Sequence, residues 1–224
     1  METTMNRRKM IKLGLGSAGA VFFSSSLPKA IASSCGITPA QTSGPFFPGE
    51  SEFDLNSDLT QFSGQTARPL GEIIYIKGKV QNEKCEPIAR AQIEIWQACA
   101  SGRYQHPADD NPAPLDPNFR YWGETMSNDQ GEYLFKTIIP GAYPAADDWI
   151  RPPHIHFKVA RLGYHELTTQ MYFKGNIYND ADKILREIPA SHRGSVVIEF
   201  KKIPTSPEAG AKGGTFDLTL KAIS

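Results

Sequence analysis

Apolar residues recur at every second position in a series of short segments punctuated by Gly, Pro, Asn and Asp. Ile74, Ile76 and Val80 alternate with Tyr75, Lys77 and Lys79, and Ala91, Ile93 and Ile95 alternate with Gln92, Glu94 and Trp96. Residues 133–138 follow the turn Asn128-Asp129-Gln130-Gly131, and segments 154–159, 167–173, 196–203 and 216–222 keep the same period. A period of two puts successive side chains on opposite faces, so each segment predicts a strand with one face turned to a core. One stretch, 180–187, predicts a helix, with Asn179 placed to cap it and Pro189 beyond its end. Many strands and one short helix predict an all-β fold, an antiparallel β-sandwich. No internal repeat or low-complexity linker interrupts it.

Two connections are too long for hairpins. Residues 102–122 are rich in Pro and Asp, and residues 140–153 are rich in Pro. Loops of about twenty residues without structure of their own usually carry function in a compact domain. The chemistry is therefore sought in these loops and in the strand that follows the second.

The chain of 224 residues is 40% hydrophobic and 21% charged, a balance that suits a folded protein. Its net charge of zero conceals an asymmetry. Residues 1–32 hold five basic side chains (Arg7, Arg8, Lys9, Lys12, Lys29) and one acid (Glu2), which leaves the remainder with an excess of four acids. A basic nucleic-acid-binding surface on the body is not expected. Nor does any uninterrupted apolar stretch reach the ~18–20 residues of a membrane span.

Asn6-Arg7-Arg8-Lys9-Met10-Ile11-Lys12 has the form of a twin-arginine leader. An apolar stretch at 13–23 and the small-x-small Ala30-Ile31-Ala32 follow it. This layout predicts an export signal over residues 1–32, cleaved after Ala32, and a periplasmic protein whose single domain runs from 33 to 224. A disordered basic arm and an N-terminal anchor are the alternatives, as is lipidation at Cys35 through the poor box Ala32-Ser33-Ser34-Cys35. Export in the folded state would allow a metal to be loaded before the protein meets copper and zinc, which outrank iron at many nitrogen and oxygen sites. Cys35, Cys85 and Cys99 show no CxxC spacing, which excludes a zinc ribbon. An oxidising compartment permits one disulfide with one thiol left over, the pair being undetermined by the sequence.

His154-Ile155-His156-Phe157-Lys158-Val159 carries the main chemical signal. The two histidines lie two apart and face the same way, while Ile155, Phe157 and Val159 supply the core face. Pro152 and Pro153 lack N–H groups and mark where the ladder starts, so the pair sits at the mouth of a sheet beside a loop. An isolated pair of this kind also occurs as two half-exposed surface histidines. Here Gln170 and Tyr172 share one face of a neighbouring predicted strand, and Trp96 faces away from Ile93 and Ile95. Tyr143 is held extended by Pro144. Arg151 stands three residues before His154, with a surface ion pair to Asp147 or Asp148 as the alternative to a place in the site.

Several ordered motifs extend this set. They are Gly102-Arg103-Tyr104, Pro114-Leu115-Asp116-Pro117-Asn118-Phe119, Thr137-Ile138-Ile139-Pro140-Gly141-Ala142-Tyr143-Pro144, Arg151-Pro152-Pro153-His154-Ile155-His156-Phe157 and Thr168-Thr169-Gln170-Met171-Tyr172-Phe173. Ahead of them stands Thr38-Pro39-Ala40-Gln41-Thr42-Ser43-Gly44-Pro45-Phe46-Phe47. Together they resemble the intradiol ring-cleavage dioxygenases, most of all the iron-holding (beta) subunits of the protocatechuate-cleaving members, and the resemblance spans residues 38–173.

The resemblance implies that Tyr104, Tyr143, His154 and His156 are ligands of one non-haem Fe(III) per chain. The donor chemistry agrees with it, because phenolate is a hard anionic donor suited to a hard ferric ion. Ionising a tyrosine at pH 7 costs about 4 kcal/mol, which a trivalent cation in direct contact offsets. It further implies that a catechol-type diol is cleaved by O₂ between its two hydroxyl-bearing carbons to a cis,cis-muconate-type diacid. Tyr143 would be displaced and take up a proton. Arg151 would stabilise charge on the ring, with Gln170 as a second polar partner. A protocatechuate-like substrate is the nearest analogy, and a homo-oligomer or a second homologous subunit is compatible with it.

Three departures bear on the pocket wall. Ala145 stands where the protocatechuate enzymes tend to carry Trp, and Arg120-Tyr121-Trp122 stands where they tend to have small residues. Tyr143 and His154 are eleven positions apart, a shorter loop than the family's. The wall is expected to be wider on one side and refilled by Trp122 on another. Two rival readings remain: a Zn or Cu site formed by His106, His154, His156 and an acid, and a transthyretin-like binding module with no metal.

Overall fold

In the computed structural model, ten residues with Ile74, Ile76 and Val80 turned inward form the longest strand, β1 (Ile73–Asn82). The structure describes residues 34–48, 55–61, 64–65, 67–206 and 208–223, so the predicted export signal lies outside the described residues. Strand β2 (Gln92–Trp96) follows, then β3 (Trp122–Met126), β4 (Glu132–Ile138), β5 (Tyr143–Ala146), β6 (Trp149–Arg151), β7 (His154–Ala160) and β8 (Leu167–Phe173). A 3₁₀ turn (Asn179–Ala181) leads into two short helices, α1 (Lys183–Glu187) and α2 (Ala190–Arg193). The chain closes with β9 (Val197–Ile198), β10 (Lys201–Lys202), β11 (Lys212–Thr215) and β12 (Leu218–Leu220). Among the described residues, no helix is long and apolar enough to cross a membrane.

The expected sandwich is present. One sheet runs β10-β11-β1-β12 with β4 on the other side of β1, and the second runs β3-β2-β7-β8-β9. Its pairings are antiparallel except where β1 meets β11 and β12 and where β8 meets β9, which are parallel. Between the sheets lie Ile74, Ile76, Val80 and Phe135 from the first and Ile93, Ile95, Ile155, Phe157, Val159 and Met171 from the second, all buried. Each buried aliphatic or aromatic side chain contributes about 1.5–3 kcal/mol, so this layer is the frame on which the loops are mounted.

Four local expectations are corrected. The predicted helix at 180–187 is broken: Asp182, in extended conformation, caps α1 by accepting the Leu185 amide at 2.7 Å. Asn179 is not the cap; its side-chain amide donates to the Phe173 carbonyl instead. The predicted strand at 196–203 is two two-residue pieces, because the chain there leaves β8 and crosses to β11 in the other sheet. Residues 140–153 are not a plain loop but hold the β5–β6 hairpin.

Candidate metal centre

Strand β7 is central in its sheet, and its register decides what surrounds the histidines. His154 faces Tyr172 and His156 faces Gln170 across β8, while His156 also faces Trp96 across β2. Both histidines are 2% exposed, which replaces the half-exposed surface reading with a buried site. His154 Nδ1 lies 2.7 Å from the Pro152 carbonyl oxygen, which can only accept. That nitrogen therefore carries the proton, and Nε2 of the neutral ring offers a lone pair. Burial first, and then the Arg151 charge, hold both imidazoles well below their usual range, so they are neutral at physiological pH.

The two tyrosines arrive from the two long connections. Gly102 has φ 87°, and a Cβ there would overlap the Ala142 carbonyl; a Cβ on Gly141 would overlap the Gly102 backbone. The amides of Gly102 and Gly141 both donate to the Cys99 carbonyl at 2.9 Å. Only glycine permits this approach, and it sets Tyr104 and Tyr143 side by side. Their rings meet edge to face with centroids 5.7 Å apart, and Tyr104 Oη lies 3.3 Å from His154 Nε2. Asp109 fixes the Tyr104 backbone by accepting its amide at 2.6 Å. Burial raises both phenols above their usual range, Tyr104 well above, with each other's charge adding to the effect at Tyr104.

These four side chains fit a ferric ion. Two neutral imidazoles and two phenols converge in one buried cluster, and His156 Nδ1 has no hydrogen-bond partner. The phenols resist ionisation without a cation beside them and accept it with one. Among the described residues, no group of three or more His, Cys, Asp and Glu stands together. A metal with more than two protein donors at this site would have to use the tyrosines, and the Zn or Cu set built on His106 is not assembled among the described residues. His106 belongs to a turn, its Nδ1 accepting the Ala108 amide at 3.1 Å, and its ring lies 5.8 Å from that of Phe46.

Arg151 is the cross-strand partner of Tyr143 in the β5–β6 hairpin. It is 4% exposed and pairs with neither Asp147 nor Asp148. Its Nε donates to Asp182 at 2.8 Å and its Nη2 to Gln170 Oε1 at 2.6 Å, with Tyr172 Oη at 3.4 Å. Burial alone would weaken this cation, but the neighbouring tyrosines 143 and 172 and Asp182 hold it charged. Gln170 in turn donates to the Thr42 carbonyl, and Tyr172 to Gln41 Oε1. The arm 34–48 is thereby tied to the site, and its Phe46 and Phe47 pack on Tyr104 and Trp96. The sequence signal for Gln41, Phe46 and Phe47 was their place in the motif at 38–47; Asp182, 31 positions from Arg151, gave none.

Tyr143 and Arg151 open into a cleft of about 730 Å³, lined also by Phe46, Asp109, Asp110, Ala145 and Trp149. Ala145 lines the cleft. Trp122 does not refill it: its indole donates to Glu94 at 3.3 Å beside the Trp96 cluster, and Trp149 borders the cleft instead.

A dioxygenase family model matches residues 42–222. The chain is 39% identical over 181 residues to the protocatechuate 3,4-dioxygenase beta chain of Burkholderia cepacia, covering 79% of this chain and 76% of that one. The chain belongs to the intradiol ring-cleavage dioxygenase family. The catechol 1,2-dioxygenase of Candida albicans is 29% identical over 173 residues, covering 71% of this chain and 53% of that longer one. Among solved structures, the dioxygenase domain of a dioxygenase carbohydrate-binding fusion from Streptomyces sp. SirexAA-E superposes with a TM-score of 0.63 at 26% identity, covering 84% of this chain and all of that domain. A dioxygenase of this family is an intradiol ring-cleavage enzyme, which removes the binding-module alternative.

Proposed function

We propose that this dioxygenase uses one non-haem Fe(III), held by Tyr104, Tyr143, His154 and His156, to cleave a catechol-type diol between its hydroxyl-bearing carbons. The observation that carries the reading is the burial together of two phenols and two neutral imidazoles, of which Tyr143 also lines, with Arg151, an adjoining cleft. The reaction adds both atoms of O₂ to the diol and gives a cis,cis-muconate-type diacid, so no further co-reactant enters the balance. Bound iron supplies Lewis-acid activation of the diol.

The chain's own groups do the rest. Tyr143 lines the cleft and, when held as a phenolate by the metal, would take a proton from the incoming diol; burial, which favours its neutral form, makes that phenolate the stronger base. The Arg151 guanidinium, locked by Asp182 and Gln170, stabilises negative charge that develops on the ring. Phe46, Tyr104 and Trp96 with Phe47 exclude water from the ligand set. The iron-loaded protein should consume O₂ in equal amount with catechol and yield a product heavier by both atoms of ¹⁸O₂. Absence of O₂ uptake with every diol tried would refute the reading.

Export through the twin-arginine leader Asn6-Arg7-Arg8-Lys9-Met10-Ile11-Lys12 belongs to the same proposal. It is supported by the Cys35–Cys85 disulfide, a bond that persists in oxidising compartments. With its sulfur in that bond, Cys35 has no thiol left for a lipid, and Cys99 stays free and buried. The similarity to a beta chain supports a second subunit as partner.

A further inference from the structure

Resting on the reading of the cleft as a diol site, we infer that its substrate carries a bulky uncharged or cationic substituent, and that Asp110 discriminates against diols bearing a carboxylate. A cleft of about 730 Å³ is in the range that holds a drug-sized ligand, well beyond a single dihydroxybenzene ring. The ring's two oxygens belong at the Tyr143 end, where the metal donors are. The rest of the substrate then lies along the remaining lining.

That lining is apolar and acidic. Pro45, Phe46, Pro112, Ala145, Trp149 and Ile184 supply its apolar surface, and Asp109 and Asp110 its charge. Asp109 is fixed in place: its carboxylate accepts the Tyr104 amide at 2.6 Å and the Asn111 amide at 2.9 Å. Asp110 is exposed on the cleft. Among the described residues of the lining, Arg151 is the sole cation, and it is set beside Tyr143 and paired with buried Asp182 at 2.8 Å, committed to the ring end of the cleft. Lys183 is not part of the lining; its ammonium lies over the Trp149 ring and pairs with Asp148. A substituent carboxylate would thus meet two like charges, with the one cation of the lining committed to the ring end. An apolar group gains the aromatic and proline surface, and an ammonium gains the two carboxylates as well.

The test uses the iron-loaded full chain and three 4-substituted catechols of similar length: propyl, 2-aminoethyl and carboxymethyl. We expect kcat/KM for the propyl and aminoethyl compounds to exceed that for the carboxymethyl compound by about fivefold or more at low ionic strength. The aminoethyl advantage over carboxymethyl should shrink in about 0.5 M salt. Asp110→Asn should reduce the aminoethyl-to-carboxymethyl ratio by about threefold, and Asp110→Lys should reduce it further. Preference for the carboxymethyl compound, or a ratio that neither substitution changes, overturns the inference while leaving the diol reading intact. No turnover of any of the three or of catechol itself overturns both.

Discussion

The Trp96 indole lies flat on the His156 imidazole, with ring centroids 4.7 Å apart and planes within 8°. The two residues face each other in the β2–β7 register, so the stack follows directly from strand pairing. Trp96 is 1% exposed, and Phe47 from the N-terminal arm meets its ring at right angles with centroids 4.9 Å apart. The indole therefore sets the orientation of a proposed metal donor without being one itself. Trp96→Ala should cost about 3–5 kcal/mol in urea unfolding. Trp96→Phe should keep the fold yet weaken iron retention about tenfold, as substitutions around metal ligands do. Equal iron retention in Trp96→Phe and the unsubstituted protein would show that the stack orients nothing.

Asp182 has two duties that substitution can separate. It anchors Arg151 Nε at 2.8 Å through one oxygen and caps α1 at the Leu185 amide through the other. Asp182→Asn keeps a good cap but loses the charge partner, so kcat should fall about tenfold with stability affected less. Asp182→Ala loses both, and its unfolding free energy should drop by about a further 1 kcal/mol. Unchanged kcat in Asp182→Asn would show that Arg151 needs no such anchor.

Glu94 and Glu124 stand directly opposite each other on β2 and β3. Burial, and secondarily the Glu94 charge, hold the Glu124 carboxyl above its ordinary value, although Gln92 donates to it at 2.7 Å. A carboxyl raised in the folded state takes up a proton there more readily than in the unfolded chain. Its contribution to stability is full below the ordinary carboxylate range and is lost as pH rises through the raised value. Glu124→Gln should therefore raise the melting temperature at neutral pH, by the equivalent of about 0.5 kcal/mol, and leave it unchanged near pH 4. A melting temperature lowered at neutral pH would contradict this assignment.

Local periodicity carried the part of the fold that period two can carry. The segment 167–173 is β8 residue for residue, and the face shared by His154 and His156 is the one turned to the site. Strand β3 had no such signal: Trp-Gly-Glu-Thr-Met buries a glycine and a glutamate in place of alternating aliphatics. The pairing of Arg151 with Asp182 was equally hidden, since Asp147 and Asp148 are nearer in sequence and only the tertiary fold brings the 3₁₀ turn and α1 under the hairpin. The arm 34–48 could be matched as a motif, but its function as a wall depends on hydrogen bonds to Gln170 and Tyr172 across more than a hundred residues.

The central claim is that two tyrosinates and two imidazoles bind ferric iron, and it is tested most directly by a visible absorption spectrum with metal content measured on the same sample. The protein should be coloured and hold stoichiometric iron, with a band that shifts when catechol is added and weakens in Tyr143→Phe. A colourless protein that holds zinc, copper or no metal, and that gains no colour with added ferric ion, would contradict it.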